Sequence, residues 1–191
     1  MIRESLRALT ACLLTFALCA LAYPAAAWLL GRSLFPAQAE GSLIRDRDGA
    51  VIGSSLIAQP FASDRYFHPR PSAVDYNASA AGGSNLGSTN PDLRGKIQGR
   101  AEGLGATADA PAPVDLATAS GSGLDPDITP EGARFQAERV AKGRNLPPAR
   151  VRELIDAGTD RSGAILGVPP RVNVLLLNLA LDAEKPASAA R

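Results

Sequence analysis

Two segments rich in glycine and serine carry the residue types of this sequence that could bind a ligand. The first segment, residues 82–91, reads GGSNLGSTNP, and the second segment, residues 120–123, reads SGSG. Loops of this composition can hold a phosphate, because closely spaced backbone N–H groups can surround an anion. The same residue types also form turns, and by composition alone the sequence favours turns over a phosphate site.

Neither segment matches a phosphate-binding motif. A P-loop requires Gly-Lys followed by Ser or Thr, but the lysine nearest to the first segment is Lys96, which lies inside a predicted helix. In GSGLDP, residues 121–126, a proline occupies the position of the last small residue of the dinucleotide fingerprint. The motifs therefore do not establish nucleotide binding.

The sequence contains no recognisable catalytic or metal-binding arrangement. His68 is the single histidine and precedes a proline, so that any histidine-based triad would depend on it alone. No serine lies in a G-x-S-x-G or S-x-x-K motif. Asp125, Asp127 and Glu131 lack the glycine and the spacing of a calcium loop and are predicted to be turn and helix-capping acids. We expect no catalytic residue and no metal site.

The charge balance argues against nucleic acid as a partner. The chain has 20 Lys and Arg residues against 19 Asp and Glu residues, and its formal net charge is +1. Binding a phosphate backbone requires a concentrated positive field, which such a chain cannot supply by composition.

Residues 8–31 predict a single transmembrane helix. The segment has no charged residue and no histidine, and 24 helical residues extend about 36 Å. Arg3 and Arg7 precede it, so we expect residues 1–7 in the cytoplasm and the rest of the chain outside it. A cleaved signal peptide is the alternative, because residues 25–27 form an A-x-A site. The apolar run continues through Leu30, which favours a retained anchor.

The remaining chain predicts one soluble domain over residues 42–182, after a connector at 32–41 and before a disordered tail at 183–191. Apolar pairs at 43–44 and 51–52 flank Asp-Gly and indicate a β-hairpin. Helix starts are expected at Asn90-Pro91 and Thr129-Pro130.

A third helix is expected to begin near Pro148 and to end before Gly158. VDLATASGSG, residues 114–123, predicts a strand that runs into the second glycine–serine segment. RVNVLLLNLALD, residues 171–182, predicts a strand buried on both faces. The fold class is α+β, with a single N-terminal transmembrane helix followed by one small mixed α/β extracytoplasmic domain.

Five long motifs occur in order along the chain: GSSLIAQPF, YFHPRPSA, GGSNLGSTNP, DLATASGSGLDPDITPEGARFQAERVAKGRNL and RVNVLLLNLALD. Together with the anchor, these motifs resemble the KdpC family, the C subunit of the Kdp potassium-transporting ATPase. The resemblance covers nearly the whole chain.

The resemblance implies an accessory, non-catalytic subunit of a bacterial inner-membrane complex for high-affinity potassium uptake. Its partners would be a channel-like A subunit, an ATP-hydrolysing P-type B subunit and a one-helix F subunit. The family is described as needed for assembly and as a catalytic chaperone that raises the ATP affinity of the B subunit through a ternary complex. ATP would be the nucleotide involved, without a metal. The candidate nucleotide or partner-contact residues are Gln59, Gly82, Gly83, Ser84, Asn85, Ser120 and Ser122.

Two observations argue against direct contact between this chain and ATP. Ala81 stands where the family's Ser-Gly-Gly-Ser-Asn loop has its first serine. The charge bias of Arg3 and Arg7 would also place the loops in the periplasm, where ATP is scarce. The alternative is a periplasmic cap or gate over the potassium-selective A subunit, with no nucleotide contact. An anchored hydrolase dependent on His68 and a secreted binding domain are the other hypotheses.

Overall fold

The structure, a computed structural model, describes residues 2–184 of the chain. The chain divides into two compact units: the first ends at Ile52 and the second begins at Gly53. The first unit holds the long N-terminal helix and most of a hairpin, and the second holds the mixed α/β domain.

The N-terminal helix is continuous over 33 residues, from Ile2 to Leu34. It consists of α1 (Ile2–Phe16), a π-helical segment (Ala17–Ala22) and α2 (Tyr23–Leu34), and none of these residues is buried within the chain. At 1.5 Å per residue it extends about 50 Å. Among the residues that the structure describes, it is the one helix long and apolar enough to cross a membrane.

The π-helical segment lies directly before Pro24. Proline has no backbone N–H and its ring clashes with the carbonyl group four residues earlier. The wider turn moves the hydrogen bonds one residue further back, so that the Tyr23 N–H donates to the Leu18 carbonyl group. The proline is thereby accommodated without breaking the helix.

The predicted hairpin is confirmed. After the short α3 (Pro36–Ala39), strands β1 (Leu43–Arg45) and β2 (Val51–Ser54) form a two-stranded sheet. The Asp46 carboxylate accepts hydrogen bonds from the N–H groups of Asp48 (3.0 Å) and Ala50 (2.8 Å). Gly49 has a φ of +83°, which is the left-handed conformation that glycine adopts without strain.

The second unit is built from helices packed on a three-stranded antiparallel sheet. The strand order is β3-β5-β4, and Val172 in the centre pairs with Ile128 on one side and Thr159 on the other. Its elements are α4 (Pro91–Gly103), α5 (Val114–Ala117), β3 (Asp127–Ile128), α6 (Pro130–Arg144), α7 (Pro148–Ala157), β4 (Thr159–Asp160), a 3-10 turn (Ala164–Leu166), β5 (Arg171–Asn173) and α8 (Val174–Ala183).

The predicted helix starts and the third predicted helix are also confirmed. The Asn90 side chain accepts a hydrogen bond from the Asp92 N–H (2.9 Å) at the start of α4. The Thr129 hydroxyl accepts one from the Gly132 N–H (2.9 Å) at the start of α6. These caps satisfy N–H groups that have no partner inside the helix.

The prediction of a long buried strand at residues 171–182 was wrong. Only Arg171–Asn173 is a strand, and α8 follows directly. The Asn173 side chain accepts a hydrogen bond from the Leu176 N–H (3.1 Å) and so caps the new helix. The apolar run is buried at helical spacing, through Val174, Leu177 and Leu181, rather than on two faces of a sheet.

The strand predicted in residues 114–123 was also wrong. The structure has a single helical turn there, α5, followed by the second glycine–serine segment. The Thr118 hydroxyl donates to the Val114 carbonyl group (2.7 Å), and the Thr118 N–H donates to the same oxygen (2.8 Å). The turn closes on itself instead of pairing with a neighbouring strand.

Two buried amide side chains attach the long loop before α4 to the core. Asn178 accepts from the Phe67 N–H (2.8 Å) and donates to the Phe67 carbonyl group (3.0 Å). Gln136 makes the same two bonds with His68, at 2.8 Å and 3.0 Å. One side chain on α8 and one on α6 thus bind the backbone N–H and carbonyl groups of two consecutive residues, in the way that a neighbouring strand would bind them in a sheet. The buried apolar core includes Phe67, Ile128, Val140, Val151, Ile155, Val172 and Leu181.

The first two residues of the expected tail lie within the described part of the chain. Ala183 is the last residue of α8, and the Glu184 carboxylate forms an ion pair with Arg150 (2.8 Å). Residues 185–191 lie outside the described residues.

Candidate functional site: the paired glycine–serine loops

The two glycine–serine segments lie against each other. The Gly82 N–H donates a hydrogen bond to the Ser122 carbonyl group (2.7 Å). A Cβ atom on Gly83 would lie 2.9 Å from the Gly121 carbonyl oxygen, so only glycine allows the two backbones to approach this closely. We call residues 82–87 the first loop and residues 120–123 the second loop.

Gly123 is the tightest point of this contact. Its φ is +69°, and a Cβ atom there would lie 2.7 Å from the Gly82 carbonyl oxygen and 2.6 Å from a methyl carbon of Val74. Both the backbone conformation and the available space therefore require glycine. The loops are held together by backbone proximity, which any side chain at Gly123 would disturb.

The serine hydroxyl groups of the second loop serve the loop itself. Ser120 is buried, and its Oγ accepts from the Gly123 N–H (2.7 Å). The Ser122 Oγ accepts from the Leu124 N–H (3.1 Å). The Ser120 N–H donates to the Pro71 carbonyl group (3.0 Å). Ser120 and Ser122 thus shape and anchor the loop.

A strained segment, residues 72–76, packs against the two glycine–serine loops through Ser72 and Val74. Asp75 and Tyr76 are consecutive residues with φ of +51° and +57°. The Ser72 hydroxyl accepts from the N–H groups of Val74 (3.1 Å) and Tyr76 (3.0 Å), and the Tyr76 hydroxyl donates to the Arg70 carbonyl group (3.0 Å). Burial raises the pKa of the Tyr76 hydroxyl, so it remains a donor at neutral pH. Strain of this kind persists where surrounding contacts hold it.

Ser84 and Asn85 project from the first loop into solvent. Both residues are exposed, and Asn85 has a φ of +53°. Within residues 2–184 neither one makes a hydrogen bond. They are the polar side chains of this site with free hydrogen-bonding capacity, which suits contact with another molecule.

Gln59 lies outside the two loops, next to the end of the second loop. Its amide packs against Gly53, where there is no room for a Cβ atom. The preceding residue, Ala58, donates its N–H to the Leu124 carbonyl group (2.9 Å), directly after the second loop. The structure therefore brings six of the seven candidate residues together and places Gln59 beside them.

Two N–H groups of the loop pair and one helix N-terminus that could bind a phosphate are already engaged. The N–H groups of Gly82 and Gly123 already donate within the loop pair. The N-terminus of α6, another common anion site, holds the buried Asp115 carboxylate, which accepts from the Thr129 N–H (2.6 Å). A Cβ atom on Gly132 would lie 2.7 Å from that carboxylate, so glycine makes room for it.

The acidic residues considered as a calcium loop are engaged in ion pairs and turns. Asp125 pairs with Arg70 (3.1 Å) and accepts from the Asp127 N–H (3.1 Å), as the turn interpretation predicted. Asp127 pairs with Arg171 (3.4 Å), and burial together with the Asp125 charge raises the Asp127 pKa. Among residues 2–184 no group of three or more His, Cys, Asp or Glu side chains could hold a metal ion.

Sequence reasoning missed the supporting segment and Asp115. The strained pair could not be anticipated, because a tyrosine rarely adopts a positive φ and carries no local signal for it. Asp115 was assigned to a strand, where its role at a helix start 14 residues later is not visible. The one available signal was Ser72 with Asp75 three residues later, since serine favours turns and aspartate tolerates the left-handed backbone.

His68 gives the domain a predictable pH dependence. Its Nε2 donates to the Ser63 carbonyl group (3.2 Å), so that protonation would fall on Nδ1. Burial, followed by the Arg139 charge, lowers the His68 pKa below 6.5, while Ser63 and the Asp64 charge act in the opposite direction. The unfolded chain therefore binds the proton more readily, and stability is lost as pH falls below 6.5 towards the lower folded-state value.

We expect the urea concentration at the unfolding midpoint of the full chain in detergent to decrease when the pH is lowered from 7.5 to 5.5. A His68→Gln variant keeps a donor for Ser63 but cannot titrate, so its midpoint should change less over the same interval. Equal slopes for the two proteins would show that another group causes the dependence.

Fold and site together define a small α+β domain that follows one long apolar helix and displays a paired-loop surface. A family profile described as the c chain of K+-transporting ATPase, KdpC, matches residues 5–183. The chain belongs to the KdpC family.

The sequences of individual family members are similar to this chain over most of their length. The chain is 51% identical over 168 residues to the potassium-transporting ATPase KdpC subunit of Parvibaculum lavamentivorans, covering 88% of this chain and 90% of that protein. It is 52% identical over 174 residues to the KdpC subunit of Burkholderia cenocepacia, with coverages of 87% and 89%. It is 48% identical over 199 residues to that of Bradyrhizobium diazoefficiens, with coverages of 95% and 98%.

Proposed function

We propose that the chain is a non-catalytic accessory subunit of a multi-subunit potassium-transporting ATPase. The helix Ile2–Leu34 anchors it in the bacterial inner membrane, and the domain stabilises the assembled complex with the A, B and F subunits. The family membership and the names of its relatives support this role.

The loop pair carries the proposal. The backbone amides of Gly82 and Gly123 and the hydroxyls of Ser120 and Ser122 are used within the domain, whereas Ser84 and Asn85 are exposed and unbonded within the described residues. Such an arrangement is a rigid surface for a protein partner. A rise in the ATP affinity of the B subunit would then follow indirectly from assembly, without a nucleotide cradle in this chain.

A second candidate is a periplasmic cap or gate over the A subunit. Arg3 and Arg7 before the apolar helix favour a cytoplasmic N-terminus and a periplasmic domain. A cysteine at Ala183 should then react with a membrane-impermeant reagent in intact cells. Reaction only after lysis would place the domain in the cytoplasm and remove this candidate.

The double variant Ser84→Ala and Asn85→Ala tests the proposal. We expect less of the chain to co-purify with the other subunits, by roughly tenfold if two interface hydrogen bonds are lost. The ATP concentration that half-saturates the remaining intact complex should be unchanged. Asn77→Ala with Ser79→Ala is the matched control, because these residues have the same types and are also exposed.

Two outcomes separate the alternatives. A full yield of complex that requires more ATP would contradict the assembly role and favour nucleotide contact. Equal losses in the test and control variants would show that the loop pair is not a specific contact surface.

A further inference from the structure

The turn between β4 and β5 exposes the two least covered large apolar side chains in the part of the chain that the structure describes. Ile165 is 98% exposed and Leu166 is 86% exposed. They lie in GAILGVPP, residues 163–170, a run of eight residues without a charged or hydrogen-bonding side chain. We call residues 163–168 the apolar tip. Exposure of adjacent large apolar side chains is unfavourable in water and marks an interaction site.

Most of the N–H groups of the apolar tip are paired within the turn. The N–H groups of Leu166 (2.9 Å) and Val168 (3.0 Å) both donate to the Gly163 carbonyl group, and the Gly167 N–H donates to the Ala164 carbonyl group (3.0 Å). A Cβ atom on Gly163 would lie 2.6 Å from Val168, so this glycine lets the turn close tightly. Because these three N–H groups are already paired, they lose no hydrogen bond to water when the tip enters an apolar medium.

One unpaired positive charge lies at the base of the tip. Arg171 on β5 is compensated by ion pairs with Asp160 on β4 (2.6 Å) and with Asp127 on β3 (3.4 Å). Arg161 is exposed and forms no ion pair with any residue between 2 and 184. An apolar tip with an unpaired arginine beside it matches the layering of a bilayer, in which phosphate groups flank the acyl chains.

We propose that the apolar tip inserts into the surface of the same membrane that holds the N-terminal helix. The 18 residues between Leu34 and Gly53 tether the domain within roughly 60 Å of the bilayer, so that insertion is an intramolecular event. Insertion of two large aliphatic side chains, which alone would be weak, becomes effective under this constraint. The inference rests on the membrane anchor and not on the assignment to a pump.

The test uses the full chain in phospholipid vesicles without other subunits. Cys12 and Cys19 are replaced by serine, and an environment-sensitive fluorophore is attached to a cysteine at Ala164. We expect blue-shifted emission and quenching by lipids that carry a nitroxide on the acyl chain. Adding Ile165→Ser or Leu166→Ser should lower the ratio of inserted to free tip by on the order of tenfold for each.

A label at Ala112, beside the exposed Val114, is the matched control and should remain in water, with or without Val114→Ser. A label at Ala164 that stays accessible to an aqueous quencher in these vesicles would overturn the proposal. Protection that arises only when the other subunits are present would also overturn it, in favour of a protein socket.

Discussion

Replacing Arg144 with methionine is expected to lower the free energy of unfolding by about 2–4 kcal/mol, the cost of two carbonyl groups that lose their donor. The side chain is buried at the end of α6, and its guanidinium donates to the carbonyl groups of Arg65 (2.6 Å) and Leu181 (3.1 Å) and to the Asp182 carboxylate (2.7 Å). It also lies over the Tyr66 ring, 4.6 Å from its centroid. Methionine fills similar space but leaves the two carbonyl groups without this donor, while the half-exposed Asp182 carboxylate keeps the Tyr66 hydroxyl as a donor.

The measurement is urea unfolding of the full chain in detergent, followed by circular dichroism. Arg152→Met is the matched control, because Arg152 on α7 forms an exposed ion pair with Glu138 on α6. Exposed pairs contribute at most about 1 kcal/mol, so this variant should unfold nearly as the parent does. If both variants lost the same stability, the Arg144 network would not hold the loop and α8 together.

Replacing Gly123 with alanine is expected to separate the two glycine–serine loops. The added methyl group costs about 1–2 kcal/mol through the left-handed backbone alone. It must also displace the Gly82 carbonyl group and Val74, which adds about 1–3 kcal/mol of overpacking. Because Ser84 and Asn85 lie two and three residues after Gly82, the same displacement should move them and reduce recovery of the assembled complex.

Gly121→Ala provides the control in the same loop. Gly121 has no positive φ and nothing lies within 4 Å of a Cβ atom there, so alanine should be tolerated. The comparison combines urea unfolding with co-purification of the other subunits. Normal assembly of the Gly123→Ala variant would mean that the geometry of the loop pair does not matter for partner contact.

Features with a local cause could be predicted from the sequence. Three such features each depend on a few neighbouring residues: the turn at Asp48-Gly49, the helix caps at Asn90 and Thr129, and the charge-free run of residues 8–31. For such features the chemistry of the turn, of the cap or of the apolar run decides the outcome within a short segment.

Features that depend on distant contacts could not be predicted in the same way. Residues 174–182 are apolar at nearly every position, so that periodicity does not separate strand from helix, and the Asn173 cap decides it. Residues 114–117 form a turn because the Asp115 carboxylate accepts a hydrogen bond from the Thr129 N–H at the start of α6. Both outcomes depend on a polar side chain whose partner is set by the tertiary fold.

The candidate site was found by residue type, but its geometry was not. Composition indicated both loops, and resemblance added Gln59. That Gly82 bonds to Ser122 across 40 residues, and that Asp75 and Tyr76 form a strained support, follows from long-range packing. The sequence therefore suggested which residues matter, while the structure distinguishes the unbonded pair, Ser84 and Asn85, from the serines of the second loop, whose hydroxyl groups are hydrogen-bonded within that loop.

The most direct test of the account is site-specific photo-crosslinking from position 85 in the assembled, active complex. A photoreactive amino acid replaces Asn85, with the same amino acid at the exposed Arg152 as the control. The account expects a crosslink from position 85 to another subunit of the complex, well above the level at position 152. Crosslinking no stronger than at position 152, in a complex that retains activity, would contradict the claim that the paired loops form the contact surface.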